Sequence, residues 1–168
     1  MFQGRRTDGG EAEAKIFAEE VLAGLIFILT ILTALVEIAA PLFVYLLASG
    51  FEGQPEKFAL TTLYTRIMFP YLMMMSLVGL YSGVLNSLGR FAASAAAPIA
   101  LNVFMIGALM LYADAETEIS GRAVAWAVAA GGLAQLLMLV FVAWRQGYLL
   151  RLKRPRLTPS MKRLFALG

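Results

Sequence analysis

The sequence contains neither cysteine nor histidine. The first absence excludes a disulfide framework and a thiolate metal site. The second removes the commonest general base and the commonest metal ligand. Charge is scarce as well. Asp, Glu, Lys and Arg make up 15% of the 168 residues and apolar residues 60%, where a soluble domain carries roughly 25% and 45–50%. That imbalance places the chain among membrane proteins before any motif is considered. The net charge of +3 does not mark a nucleic-acid partner, which needs a basic, solvated face; half of the Lys and Arg gather in one tail beside an apolar segment. The polar first fifteen residues lack the short apolar run and small-residue cleavage site of a secretory signal.

What is present is a series of four long apolar runs. Residues 21–51 hold one charge, Glu37; residues 67–89, 91–113 and 123–144 hold none. A spanning helix needs about 20 predominantly apolar residues, so each of the last three runs fits one crossing. The expectation is an all-α polytopic membrane protein of four transmembrane helices, each antiparallel to the next. The boundaries read as a polar segment at 1–20, a helix at 21–49, an outer loop at 50–62 and a helix at 63–87. A turn at 88–92, a helix at 93–113, an outer loop at 114–122, a helix at 123–144 and a basic tail at 145–168 follow. The first run exceeds a perpendicular span, so tilt, an interfacial end or a kink near Pro41 absorbs the surplus. Buried helices of a large soluble core are the alternative, and four consecutive runs of this length argue against it.

Orientation follows from Lys and Arg. One side receives Arg5, Arg6, Lys15, Arg90, Arg145, Arg151, Lys153, Arg154, Arg156, Lys162 and Arg163. The other receives Lys57, Arg66 and Arg122. Eleven against three puts both termini in the cytoplasm and the loops at 50–62 and 114–122 outside. The basic tail then lies at the anionic leaflet, in reach of membrane lipids.

The spans contain no His, Cys, Lys or Asp, so no nucleophile–base pair can form in them, and nothing points to an enzyme, a metal or a cofactor. Glu37 is the one ionisable group deep in an apolar run. Either it lines a substrate groove or ion path, or it sits near an interface or pairs with another helix. Arg66 and Arg90 could each meet an anionic headgroup, with interfacial anchoring as the plainer reading. Asn86 and Asn102 are further candidates along a substrate path, with interhelical hydrogen bonding as the alternative; Gln135 reads as such polar glue. Gly79 with Gly83, and Ala127 with Gly131 and Gly132, have the small-residue spacing of close helix packing. Pro70 and Pro98 are hinge candidates within helices, or else mark helix starts.

The ordered combination of several stretches resembles the MurJ (MviN) lipid II flippase family. RIMFPY carries the Arg66, Phe69, Pro70 and Tyr71 pattern of a helix start, and GVLNSLGRF carries Gly83, Leu85, Asn86, Arg90 and Phe91. APIALN carries Ala97, Pro98, Leu101 and Asn102, and AVAWAVAAGGLAQLLM covers residues 123–138. AAPLFVYLLASGF, at 39–51, is similar to the preceding helix and its outer loop. The resemblance implies a bacterial inner-membrane transporter of the multidrug/oligosaccharidyl-lipid/polysaccharide exporter superfamily. Its substrate would be lipid II, the undecaprenyl-pyrophosphate-linked peptidoglycan precursor, moved by alternating access. The family has two lobes of helices, and this stretch is similar to its third to sixth, part of one larger lobe. The partners implied are lipid II, membrane lipids and the family's other helices. The family's main substrate-contacting arginines fall outside this stretch, and Glu37 departs from the family pattern. The reading is therefore a fragment of a flippase, with a related drug or polysaccharide exporter or a non-functional truncated membrane scaffold as alternatives.

Overall fold

A computed structural model describes residues 10–47 and 53–152, and among them there is no strand. Five helices follow in order: α1 (Gly10–Leu47), α2 (Pro55–Met68), α3 (Pro70–Ser87), α4 (Phe91–Leu111) and α5 (Thr117–Arg145). They make four helical stretches long and apolar enough to cross a membrane, α2 and α3 together forming one.

Local chemistry explains the limits. Pro55 at the first position of α2 gives up no needed hydrogen bond, and Glu56 in its first turn faces the positive end of the helix dipole. Pro70 divides α2 from α3, having no N–H for the carbonyl of Arg66 four residues earlier. Phe69 between them keeps right-handed helical angles, and Leu72 N–H donates to its carbonyl at 3.0 Å, so the span continues with a tightened turn. α3 and α5 end alike. Gly89 and Gly147 adopt φ of +75° and +74°, and Arg90 and Tyr148 N–H reach back to the carbonyls of Leu85 and Ala143 at 2.9 Å. Only glycine takes that backbone conformation without strain.

Three helices extend past the limits drawn from charge. α1 begins at Gly10, α2 at Pro55 and α5 at Thr117, against expectations of 21, 63 and 123. Charged residues bounded the apolar runs, yet Glu, Lys and Arg are good helix formers and carry a helix beyond the membrane core. The surplus of the first run stays within α1, with Pro41 inside the helix.

The helices pack as a row. The α2–α3 span lies between α1 and α5, and α4 packs chiefly on the far side of α5. α3 and α5 run in the same direction, because α4 returns the chain between them. Consecutive spans are antiparallel, but this central contact is parallel. Its core gathers Leu77, Val78, Tyr81, Val84 and Leu85 of α3, Leu139 and Ala143 of α5, Ala18 and Leu22 of α1 and Ala97 of α4. All lie toward the end that holds the start of α1 and the close of α3 and α5, called here the near end.

Candidate functional site

Two of the sequence candidates meet. On α1, Val36, Ala40 and Val44 are buried at four-residue intervals and form one face. That face lies toward α2, where Thr61, Thr65 and Phe69 line the same cavity as Val36 and Val44. Glu37 follows Val36 and is half-buried. Pro41 stands four residues later and has no N–H for the Glu37 carbonyl. Arg66 of α2 supplies a hydrogen instead: its Nε donates to the Glu37 carbonyl at 3.1 Å. The link runs to the Glu37 backbone, and no ion pair joins its carboxylate to Arg66 among the described residues.

The remaining candidates are not brought to this place. Asn86 and Arg90 lie at the near end, where the Asn86 Oδ1 is buried without a hydrogen-bond partner among the described residues and Arg90 is exposed. Asn102 is exposed along α4. Arg66 lies twenty-one positions before the end of α3, roughly 32 Å at 1.5 Å per residue, and Arg90 stands past that end in the turn to α4. They cannot grip one anionic headgroup together.

The packing candidates divide. A Cβ at Gly131 would stand 3.0 Å from the Leu101 Cα, and one at Gly132 would run into the Tyr71 ring. These two glycines let α5 approach α4 on one side and α3 on the other. Gly79 and Gly83 meet nothing within 4 Å, so close packing at that pair is absent among the described residues. Gln135 is 2% exposed between helices, and its Oε1 finds no partner among the described residues. Pro98 lies within α4, which continues through it, whereas Pro70 marks a true break.

Sequence reading missed two polar fastenings. At the near end, residues 147–152 fold back over the first turns of α1. Lys15 Nζ donates to the Gly147 carbonyl at 3.2 Å and lies 5.8 Å from the Tyr148 ring centre. The Arg151 N–H donates to Glu19 at 3.1 Å, and Leu150 enters the core. The signal was present: Ala14 and Ala18 extend an apolar stripe upstream from Val21 and Leu22, where the first apolar run begins. At the far end, the Tyr64 hydroxyl donates to the Glu118 carbonyl at 3.0 Å. Nothing in the sequence spacing pairs those two positions.

Among the described residues, cavities flank the far end. About 690 Å³ opens between α4 and α5 beside Trp126 and Arg122. About 480 Å³ lies among Tyr64, Met68, Tyr71 and Val128, and about 300 Å³ between α1 and α2. Their linings are mainly apolar and hold no constellation for bond-making chemistry. Among the described residues no three acidic side chains cluster as a metal site would require.

Comparison with known proteins supplies what this geometry leaves open. The model of the family "Lipid II flippase MurJ" matches residues 1–167. A probable lipid II flippase MurJ of Rhizobium tropici is 42% identical over 158 residues, covering 92% of this chain and 30% of that protein. One from Rhizobium meliloti is also 42% identical, over 159 residues with the same coverage. The lipid II flippase MurJ of Burkholderia cenocepacia is 36% identical over 129 residues, 77% of this chain and 25% of that protein. The chain thus spans less than a third of the length of these relatives.

Proposed function

The chain belongs to the lipid II flippase MurJ family, and on that premise we propose that it is part of a transporter that carries lipid II across the bacterial inner membrane. The observation that carries this reading is the family match along residues 1–167. The described helices fit the role of an apolar wall. They offer helices long enough to span a membrane, with Pro41 inside one and an interruption at Pro70 in another, the kind of feature that transporters use for bending. They do not bring together the cations that a pyrophosphate headgroup needs in a low-dielectric site. Those cations are assigned to the parts of the relatives that extend beyond this stretch. The protein works as a transporter and not as an enzyme, with the termini of this stretch cytoplasmic, as the Lys and Arg asymmetry argues.

The test replaces the matching stretch of the Rhizobium meliloti relative by this chain and asks whether the chimera sustains growth in a strain depleted of its own flippase. Growth with outward lipid II movement supports the reading. A chimera that inserts and accumulates normally yet moves no lipid II removes it. A unique cysteine at Ser120, clean because the chain has no native Cys, should label only from outside; labelling from the cytoplasm alone would reverse the topology.

A further inference from the structure

α2 is fastened differently from the helix that continues it: it buries one residue, Thr62, whereas α3 buries five. The cavities of about 300 and 480 Å³ both open along it, one toward α1 and the other toward α5, and both are lined by the stripe of Thr61, Thr65 and Phe69. Its tie to the rest of the bundle is polar. Arg66 reaches the Glu37 carbonyl of α1, and Tyr64 reaches the Glu118 carbonyl of α5. At its foot the helical ladder is interrupted, since Pro70 gives no hydrogen to the Arg66 carbonyl. The Arg66 link joins this break to a second one, because its acceptor is the carbonyl that Pro41 leaves open.

We propose that α2 is a hinged segment that swings about Phe69–Pro70, and that Arg66 holds it against α1 by supplying the hydrogen bond that Pro41 withholds. Arg66 is then a positioning residue: it works through the α1 backbone and needs no substrate. A helix with little buried side-chain surface and free volume on both sides is poorly held by packing. A charge-assisted hydrogen bond to a carbonyl with no helical donor is the strong contact left on the α1 side. A swing of about 15° would carry the far end of this roughly 21 Å helix by about 5 Å, closing one flanking cavity and widening the other. The inference concerns motion within this chain and holds whatever the transported lipid is.

The test is a cycle between Arg66 and Pro41. Spin labels are attached through Lys57→Cys on α2 and Leu32→Cys on α1, and the chain is reconstituted in lipid bilayers. The parent should give one narrow distance distribution. Arg66→Ala should broaden it and add a population displaced by about 5 Å, the reach computed from the helix length. In the Pro41→Ala background residue 41 regains its N–H, the Glu37 carbonyl is satisfied within α1, and the pin no longer has a vacant acceptor. Arg66→Ala should there leave the distribution as it is in Pro41→Ala alone. Circular dichroism confirms that each variant is helical; a variant that is not is replaced by Arg66→Met, which keeps a long stem but has no donor. No broadening with Arg66→Ala, or the same added broadening in both backgrounds, overturns the proposal.

Discussion

The two ends of this bundle share a composition and differ in how they are held. At the near end, α1, α3, α4 and α5 converge on one core in which Leu85 and Leu139 are fully buried. The chain after α5 returns to strap that end to Lys15 and Glu19. At the far end Leu47, Met110 and Leu111 are more than three-quarters exposed. The cavities lie there, and single hydrogen bonds to backbone carbonyls tie α2 to its neighbours. In a membrane, lipid is as apolar as leucine, so hydropathy does not draw helices together. Close packing and polar contacts do. The near end has both, and the far end has chiefly the second.

The contrast predicts where substitution costs most. Leu139→Ala removes a fully buried side chain from the near-end core and should cost about 2 kcal/mol, the low end of the range for core Leu→Ala, because lipid or detergent also solvates the unfolded apolar chain. Leu111→Ala at the exposed far end should stay within about 0.5 kcal/mol. Denaturant titration in detergent micelles measures both. Equal losses at the two positions would end the distinction between the ends.

The sequence makes one half of this comparison legible and hides the other. Apolar length is a property of single segments, so the number of spanning stretches could be read directly, and Pro70 announced its break. Which face of each helix meets protein could not be read. α4 and α5 are similarly apolar, yet α4 buries Ala97 alone while α5 buries eight residues. Small-residue spacing does not tell the two pairs apart for the same reason: Gly131 meets the Leu101 backbone, and Gly79 and Gly83 meet nothing among the described residues. The Arg66–Glu37 contact was out of reach because it runs to a carbonyl, and carbonyls leave no trace in side-chain pattern. Pro41 was the one clue, since it states which carbonyl lacks a donor.

A second prediction sharpens the contrast at the scale of single methyl groups. Gly131→Ala puts a Cβ 3.0 Å from a backbone atom that cannot rotate away, so α4 and α5 must separate. Overpacking of this kind costs about 1–3 kcal/mol. Gly83→Ala enters open space and should be neutral or stabilising by up to about 1 kcal/mol through helix propensity. Thermal unfolding of the two variants side by side reads the difference in sign. A gain at Gly131 would mean that α4 does not sit on α5 as described.

The strap makes the third prediction. Glu19→Ala takes the acceptor from the Arg151 N–H, a loss of about 1 kcal/mol. The effect should be local, with the Arg151 amide exchanging hydrogen roughly fivefold faster while core amides of α3 keep their rates. If α3 amides accelerate equally, the strap is part of the core and not an attachment to it.

The smallest effect is expected at Tyr64, and it separates packing from hydrogen bonding at the far end. The Tyr64 ring lies over Gly121, where an added Cβ would stand 2.5 Å from the hydroxyl oxygen. The absence of a side chain at 121 is thus what lets α2 come this close to α5. Tyr64→Phe keeps the ring over Gly121 and deletes only the donor to the Glu118 carbonyl. That carbonyl is exposed and can take a hydrogen from water, so the loss falls at the low end for a hydrogen bond, about 0.5 kcal/mol. For a chain of this length that is a fall of roughly 1–2 °C in the unfolding midpoint. Gly121→Ala displaces the ring as well and should cost more than Tyr64→Phe. The reverse order would mean that the hydrogen bond, and not the approach of the two helices, holds α2 to α5.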